Sequence, residues 1–277
     1  MLALSAGESL IVCTAMPETW GYPSSARVDA EYAAFLDRHA RRALARAMAT
    51  LGADLRADAV ARSASSIVAG LVGIAEDTRA ALIVLGSARH GSLGRLAIGS
   101  IADGLQQRAP VPVALAPKGY RPAADTRVPR ITCAWVPVPG SSALLAAATA
   151  LCRDFRVPLR LATLVVRDRQ MYPSGVGYDF ENMVANQWRS MAQEAQHEAL
   201  ATLPADLAAS GAIGDGADWR KALDALDWLP GELLLVGSSH RGAISRILLG
   251  ADSSRITRNA CVPVIVLPRA AEAETGA

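Results

Sequence analysis

The residues best suited to chemistry stand in two glycine-punctuated stretches. "GSARHGSLGRLAIGS", residues 86–100, lies directly behind the apolar run "ALIVLG", and "GSSHRGAISRILLGADS" follows "LLLVG" in the same manner. Glycine lets backbone N–H groups approach an anion, and a helix starting behind the loop adds its positive N-terminal end. Such a loop can cradle phosphate. The first loop is therefore expected to form a phosphate site from Gly86, Ser87, Arg89, Gly91, Gly99 and Ser100, with Arg89 as a cation and the Ser100 hydroxyl as a donor. Ser100 with Asp103 also fits a helix-capping arrangement. In the second loop Gly237, His240, Gly242 and Gly250 hold the corresponding positions, but Ala251 offers no hydroxyl. Asp252, near the helix start, would repel a phosphate brought there.

These loops belong to a repeat. At an offset of 151, Gly86 falls on Gly237, Gly91 on Gly242, Arg95 on Arg246 and Gly99 on Gly250. Residues 86–118 match 237–269 at 10 of 33 positions, and "APVPVALAPK" lies over "ACVPVIVLPR". Glycine spacing, flanking strands and prolines kept together mark a duplicated domain. Upstream, "LIVCTA" lies over "LATLVV", and a long helical stretch follows each. Tyr32, Phe35, Leu36 and Leu44 mark the apolar side of one helix, and Phe180, Met183, Val184, Trp188 and Met191 that of the other. Strand and helix signals alternate, which predicts parallel α/β units with right-handed crossovers. "GAIGDG", residues 211–216, reads as a loop ahead of the helix "DWRKALDAL".

The copies are unequal. The second begins with "ITCAWVPVPGSSALLAAATAL", a strand and then a helix capped near Ser141 or Ser142. At the common offset Met1 falls on Cys152, so residues 131–151 have no counterpart in the first copy. "MLALSAGESLIV" reads as the last turn of a helix, a glycine stop and a strand. The expected organisation is a first domain over 1–118 without its initial strand and helix, a proline-rich linker over 119–130, a second domain over 131–269 and a flexible tail over 270–277.

Composition narrows the class. With 51% apolar but only 5% aromatic residues, the interior must be aliphatic, as suits helices packed on a parallel sheet. A net charge of +2 argues against nucleic acid as a partner, and Arg38, Arg42 and Arg46 read as a solvated helix face. Cys13, Cys133, Cys152 and Cys261 stand far apart and read as reduced, mostly buried thiols of a cytoplasmic protein. No apolar run reaches the roughly 20 residues of a membrane helix, so no membrane partner is expected. His39, His90 and His197 lack metal-ligand spacing, and the strained glycine elbow of a serine nucleophile is absent. No metal and no catalytic residue is assigned.

Two tandem domains of this length, each with G-x12-G behind a buried strand and "VPV" on its last strand, resemble the universal stress protein family over about residues 8–118 and 131–269. The resemblance implies an α/β fold of two tandem doubly wound domains, each an open, mostly parallel five-stranded sheet, the first lacking its initial strand and helix. In nucleotide-binding members the loop reads G-x2-G-x9-G-[ST] and holds ATP phosphates, while an Asp ending the first strand holds the adenosine. The last strand commonly pairs across a dimer; in tandem members the halves can form that pairing as an intramolecular pseudo-dimer, with a homodimer as a further expectation. Here Arg89 and His240 replace the middle glycines, and residues 131–153 contain no Asp or Glu. These departures imply a non-catalytic stress-response or regulatory protein with degenerate nucleotide loops. Two alternatives stand beside that reading. One is an adenine-nucleotide sensor that binds ATP in the first domain, with none expected in the second; the other is a protein-interaction module that uses an exposed sheet edge.

Overall fold

A computed structural model describes residues 1–18, 26–90, 92–123, 125–167, 178–237 and 253–267. The first half runs α1 (Leu2–Ala6), β1 (Leu10–Pro17), α2 (Ala26–Met48), β2 (Ala57–Ala64), α3 (Ile67–Asp77), β3 (Ile83–Gly86), α4 (Ser100–Arg108) and β4 (Val113–Ala116). The second runs β5 (Ile131–Ala134), α5 (Ser141–Phe155), β6 (Leu159–Val166), α6 (Tyr178–Ala201), β7 (Ala209–Gly216), α7 (Trp219–Asp224), β8 (Leu233–Gly237), α8 (Ser253–Asn259) and β9 (Val264–Leu267). From β1 and β6 onward the two orders are the same. β5 and most of α5 have no counterpart, and α1 stands where the last turn of α5 would be. It stops at Gly7, whose φ of 72° is the left-handed conformation of a glycine helix stop. The offset of 151 drifts upstream of the loops: β1 opens at Leu10 and β6 at Leu159, a separation of 149.

In the second half the strands take the order β9-β8-β5-β6-β7, and every adjacent pair is parallel. β5 is central, and Ile131, Thr132 and Cys133 are wholly buried. All eight residues of β6 are buried, as expected of a parallel strand with helices on both faces. In the first half the sheet is divided. β1 and β2 form a separate two-stranded parallel sheet, while β3 and β4 extend the larger sheet beyond β9 in the order β3-β4-β9. β5 joins β8 to β6, whereas among the described residues no strand joins β3 to β1. Two compact units follow, one of residues 1–83, 99–113 and 123–127, the other of 84–98, 114–122 and 128–277.

Close packing explains two departures from the sequence reading. "GAIGDG" is not a loop but most of β7. Its glycines let neighbours approach both faces: a Cβ on Gly216 would stand 2.2 Å from the Ala222 nitrogen in α7, and one on Gly211 would stand 2.4 Å from Gln196 Oε1 in α6. Gln196 is buried and donates to the Thr163 hydroxyl and the carbonyl oxygens of Leu161 and Ala212. Helices held this close turn small residues inward. α6 buries Ala185, Ala192 and Ala199, whereas Met183, Met191 and, on α2, Phe35 are exposed, against the expected apolar sides. The side chains of Phe180 and Val184 lie outside the described set. The cap of α5 is Gly140, φ 85°, and not a serine. The corresponding short helices α3 and α7 are capped by side chains, Ser66 accepting from Ala69 N–H and Asp218 from Lys221 N–H.

A buried charge cluster pins the amino ends of β5, β6 and β8. Glu232, wholly buried, accepts from Arg130 at 2.7 and 3.0 Å, from Arg160 at 2.7 Å, from the Leu229 N–H at 2.9 Å and from the Thr132 hydroxyl. Both guanidiniums also donate to the Asp227 carbonyl, and Arg160 lies 5.0 Å from the Trp228 ring centre. Burial pushes the Arg160 guanidinium below its ordinary pKa, and the Glu232 charge opposes that shift.

Two stability outcomes follow, each read by denaturant unfolding. Glu232→Ala leaves two crowded cations without their carboxylate and lowers stability by about 3–5 kcal/mol. Gly216→Ala forces α7 from β7 at a cost of about 1–3 kcal/mol, whereas Gly86→Ala, with nothing within 4 Å of the new Cβ, changes stability by less than about 0.5 kcal/mol.

Candidate phosphate loops

Gly86 ends β3 and faces open space. Behind it the chain closes on itself. Ser87 N–H donates to the Ala116 carbonyl at 2.9 Å, and its hydroxyl accepts the Ala97 N–H at 2.7 Å. Ala88 N–H donates to Ala97 O at 2.9 Å, and Gly94 N–H to Lys118 O at 2.9 Å. The Lys118 ammonium donates to the Arg89 carbonyl at 2.7 Å. Of the expected phosphate residues Ser87 is thus bonded within the protein, as are the neighbouring Ala88 and Gly94 amides. The Arg89 and His90 side chains are exposed, and Gly91 lies outside the described residues.

Gly99 is the N-cap of α4 with φ −93° and ψ 172°, an extended conformation open to any residue, and Ser100 is the exposed first helical residue. The Ser100–Asp103 capping arrangement is not formed: the Asp103 carboxylate accepts from the Gln107 amide. The loop crosses a boundary. Gly86, Ser87 and Arg89 belong to the second compact unit, Gly99 and Ser100 to the first.

A further loop residue has a role that spacing did not disclose. Arg95 binds both Asp224 oxygens, at 2.8 and 2.9 Å, and donates to the Asn259 carbonyl at 2.6 Å. That carbonyl closes α8, so the cation sits at the negative end of the helix. Its partners lie 129 and 164 residues further along the chain, beyond the reach of any local motif.

In the second loop Gly237 ends β8, with the Leu144 side chain 3.7 Å from the position of a Cβ. His240, Gly242, Gly250, Ala251 and Asp252 lie outside the described residues.

Ligands of open α/β sheets sit at the carboxyl ends of the strands. At the end of β5 stand Trp135 and Val136, both buried, where an adenosine-holding acid would be required. At the end of β7 Asp215 is already engaged, accepting from Arg189 Nε at 2.6 Å with Arg167 Nε 3.0 Å from its other oxygen. In the first unit, a cleft of about 370 Å³ borders the end of β1, lined by Met16, Glu18, Leu36, Asp37 and Ser63 among others. Its two charged walls, Glu18 and Asp37, are acidic, and Asp37 accepts from Arg41. Such walls disfavour a phosphate.

The thiols are poor nucleophiles. Cys133 and Cys152 are buried, and burial pushes the Cys152 pKa up to about 12 and that of Cys133 further still. Cys13, expected inside, is exposed because β1 lies in a two-stranded sheet.

The geometry defines a doubly wound parallel α/β sheet in the second half and the same succession of elements, from β1 onward, in the first. Sequence comparison makes the assignment specific. The pattern of the Universal stress protein family matches residues 1–117 and 130–268, and the chain belongs to that family. It is 38% identical over 269 residues to Universal stress protein Rv2319c of Mycobacterium tuberculosis, and equally to Mb2346c of Mycobacterium bovis; the match covers 94% of this chain and 90% of each relative. Among solved structures, a universal stress protein from Archaeoglobus fulgidus superposes with a TM-score of 0.55 at 15% identity, covering 98% of this chain and 91% of that one. The functionally unknown protein PA1789 from Pseudomonas aeruginosa gives 0.51 at 14%, covering 96% and 85%. Both share the fold.

Thiol chemistry checks the burial. The folded pKa values of Cys133 and Cys152 lie above the unfolded value near 8.5, so their contribution to stability is intact below that pH and is lost as pH rises toward 12. At pH 8 a thiol reagent should label Cys13 in the native protein but reach Cys133 and Cys152 only on unfolding. Stability should decline above about pH 8.5, and less steeply in a Cys133→Ala, Cys152→Ala double variant.

Proposed function

We propose that this universal stress protein is a non-catalytic, cytoplasmic stress-response or regulatory protein that acts without a bound nucleotide. The observation that carries this reading is the internal engagement of the first loop: the Ser87 hydroxyl, the Ala88 and Gly94 amides, the Lys118 ammonium and Arg95 each bond to the chain itself. The lack of an acid at the end of β5 supports the same reading for the second copy. Among the described residues no helix is long and apolar enough to cross a membrane.

A second reading, an ATP sensor in the first domain, draws support from the open space at Gly86, the exposed Arg89 and the start of α4, which has no side-chain cap. Thermal unfolding with and without millimolar Mg-ATP separates the two, since a ligand at 100 times its Kd stabilises by about 2.7 kcal/mol. The unliganded reading predicts an unchanged Tm and no phosphate release. A rise in Tm that Gly99→Val abolishes and Gly250→Val leaves intact would establish the sensor instead.

A further inference from the structure

We propose that the chain pairs with a second copy of itself through the outer faces of α2 and α6, the basic face of one copy against the acidic face of the other. The inference holds whether or not nucleotide binds.

The two helices hold equivalent places in the repeat. β2 opens at Ala57 and β7 at Ala209, and α3 and α7 open at Ile67 and Trp219, a separation of 152 in both cases. At that separation Ala40 of α2 falls on Ala192 of α6, and Leu44 on Gln196, and all four are buried. The faces turned away from them can therefore be compared position by position. Arg38 falls on Ser190, Arg42 on Glu194 and Arg46 on Glu198, and all six residues are exposed. Duplicated helices carry opposite charge at two matched positions. α5 precedes β6 in the second half, and this face of α6 is exposed with α5 in place. The outward face belongs to the helix's place in the repeat.

Neither set of charges is balanced within its own helix. Residues 38–48 hold four arginines and no acid, and residues 190–201 hold two glutamates and no lysine or arginine. Asp37 holds Arg41 at 2.7 Å, but among the described residues Arg38, Arg42, Arg46, Glu194 and Glu198 form no ion pair. Like charges four residues apart repel on a helix surface, and both stripes have that spacing. Glu198 also lies in the last turn of α6, the end whose dipole disfavours an acid. Bringing the two faces together relieves the repulsion on both.

The occupant follows from the same observations. The complement to the arginine stripe is already carried by the chain itself, at the matching place on α6. Apolar groups flank the charges: Met183 and Met191 on α6 are 58% and 51% exposed, and Phe35 on α2 is 56% exposed with its ring 6.2 Å from that of His39. Methionine adapts to an irregular facing surface, and Met, Phe and Arg are enriched where proteins meet, whereas Lys is depleted. Every Lys or Arg position of α2 is arginine.

Sedimentation equilibrium of the full chain tests the pairing. Association is expected at about 50 mM salt and should weaken about tenfold at about 500 mM, because salt screens exposed charges. Two double variants, Arg42→Glu with Arg46→Glu and Glu194→Arg with Glu198→Arg, should each keep the native melting transition and lose association. An equimolar mixture of the two, and a single chain carrying all four changes, should associate as the unaltered chain does. A monomer at every concentration in low salt would overturn the proposal. So would association untouched by either reversal, or no recovery in the mixture and the fourfold variant. Should a reversed variant fail to fold, Arg42→Gln with Arg46→Gln takes its place: association weakened about tenfold supports the pairing, and unchanged association overturns it.

Discussion

A parallel sheet depends on the strand at its centre, and in this protein β5 is that strand. It bonds to β6 on one side and β8 on the other, and its first three residues are wholly buried. The Glu232 cluster fixes its amino end by joining Arg130 and Thr132 to Arg160 on β6. Removing such a strand from a sheet of this order separates the strands on its two sides. In the first half, among the described residues, no strand lies between β1 and β3. β1 and β2 pair with each other, and β3 and β4 continue the sheet that contains β9. Cys13, on β1 of the two-stranded sheet, is exposed, whereas Cys133 on the central β5 is buried.

The same asymmetry bears on the nucleotide loops. A working pocket of this family type needs an anion loop and, at the end of the first strand, an acid for the nucleoside. In the first copy the Ser87 hydroxyl and the Ser87, Ala88 and Gly94 amides are bonded to residues 97–118. The second copy has the strand, but Trp135 and Val136 fill its carboxyl end.

Much of the fold was legible because it rests on local signals. The duplicated glycines and prolines gave the tandem repeat, and residues 131–151, which hold β5 and most of α5, stood out as unmatched within it. The helix stop at Gly7 was readable from one glycine. What was not legible depends on distant contacts. Nothing local shows that the glycines of 211–216 form a strand under α7, because the reason lies in Ala222 and Gln196 approaching from opposite faces. Nor does helical periodicity reveal that α6 buries alanines and leaves Met183 and Met191 outside. In the candidate site Gly86, Ser87 and Ser100 could be named from spacing, but the bonds of Ser87 and Arg95 could not, since they depend on how the chain returns to them.

Residue-resolved amide hydrogen exchange on the isolated protein is the most direct test of whether the first copy lacks a central strand in solution. The account predicts that the amides of Ile11, Cys13 and Ala15 exchange quickly while their neighbours Val12 and Thr14, bonded to β2, are protected, and that β6 shows protection at every position. Uniform protection along β1, equal to that of β6, would mean that its second edge is already paired and would contradict the account.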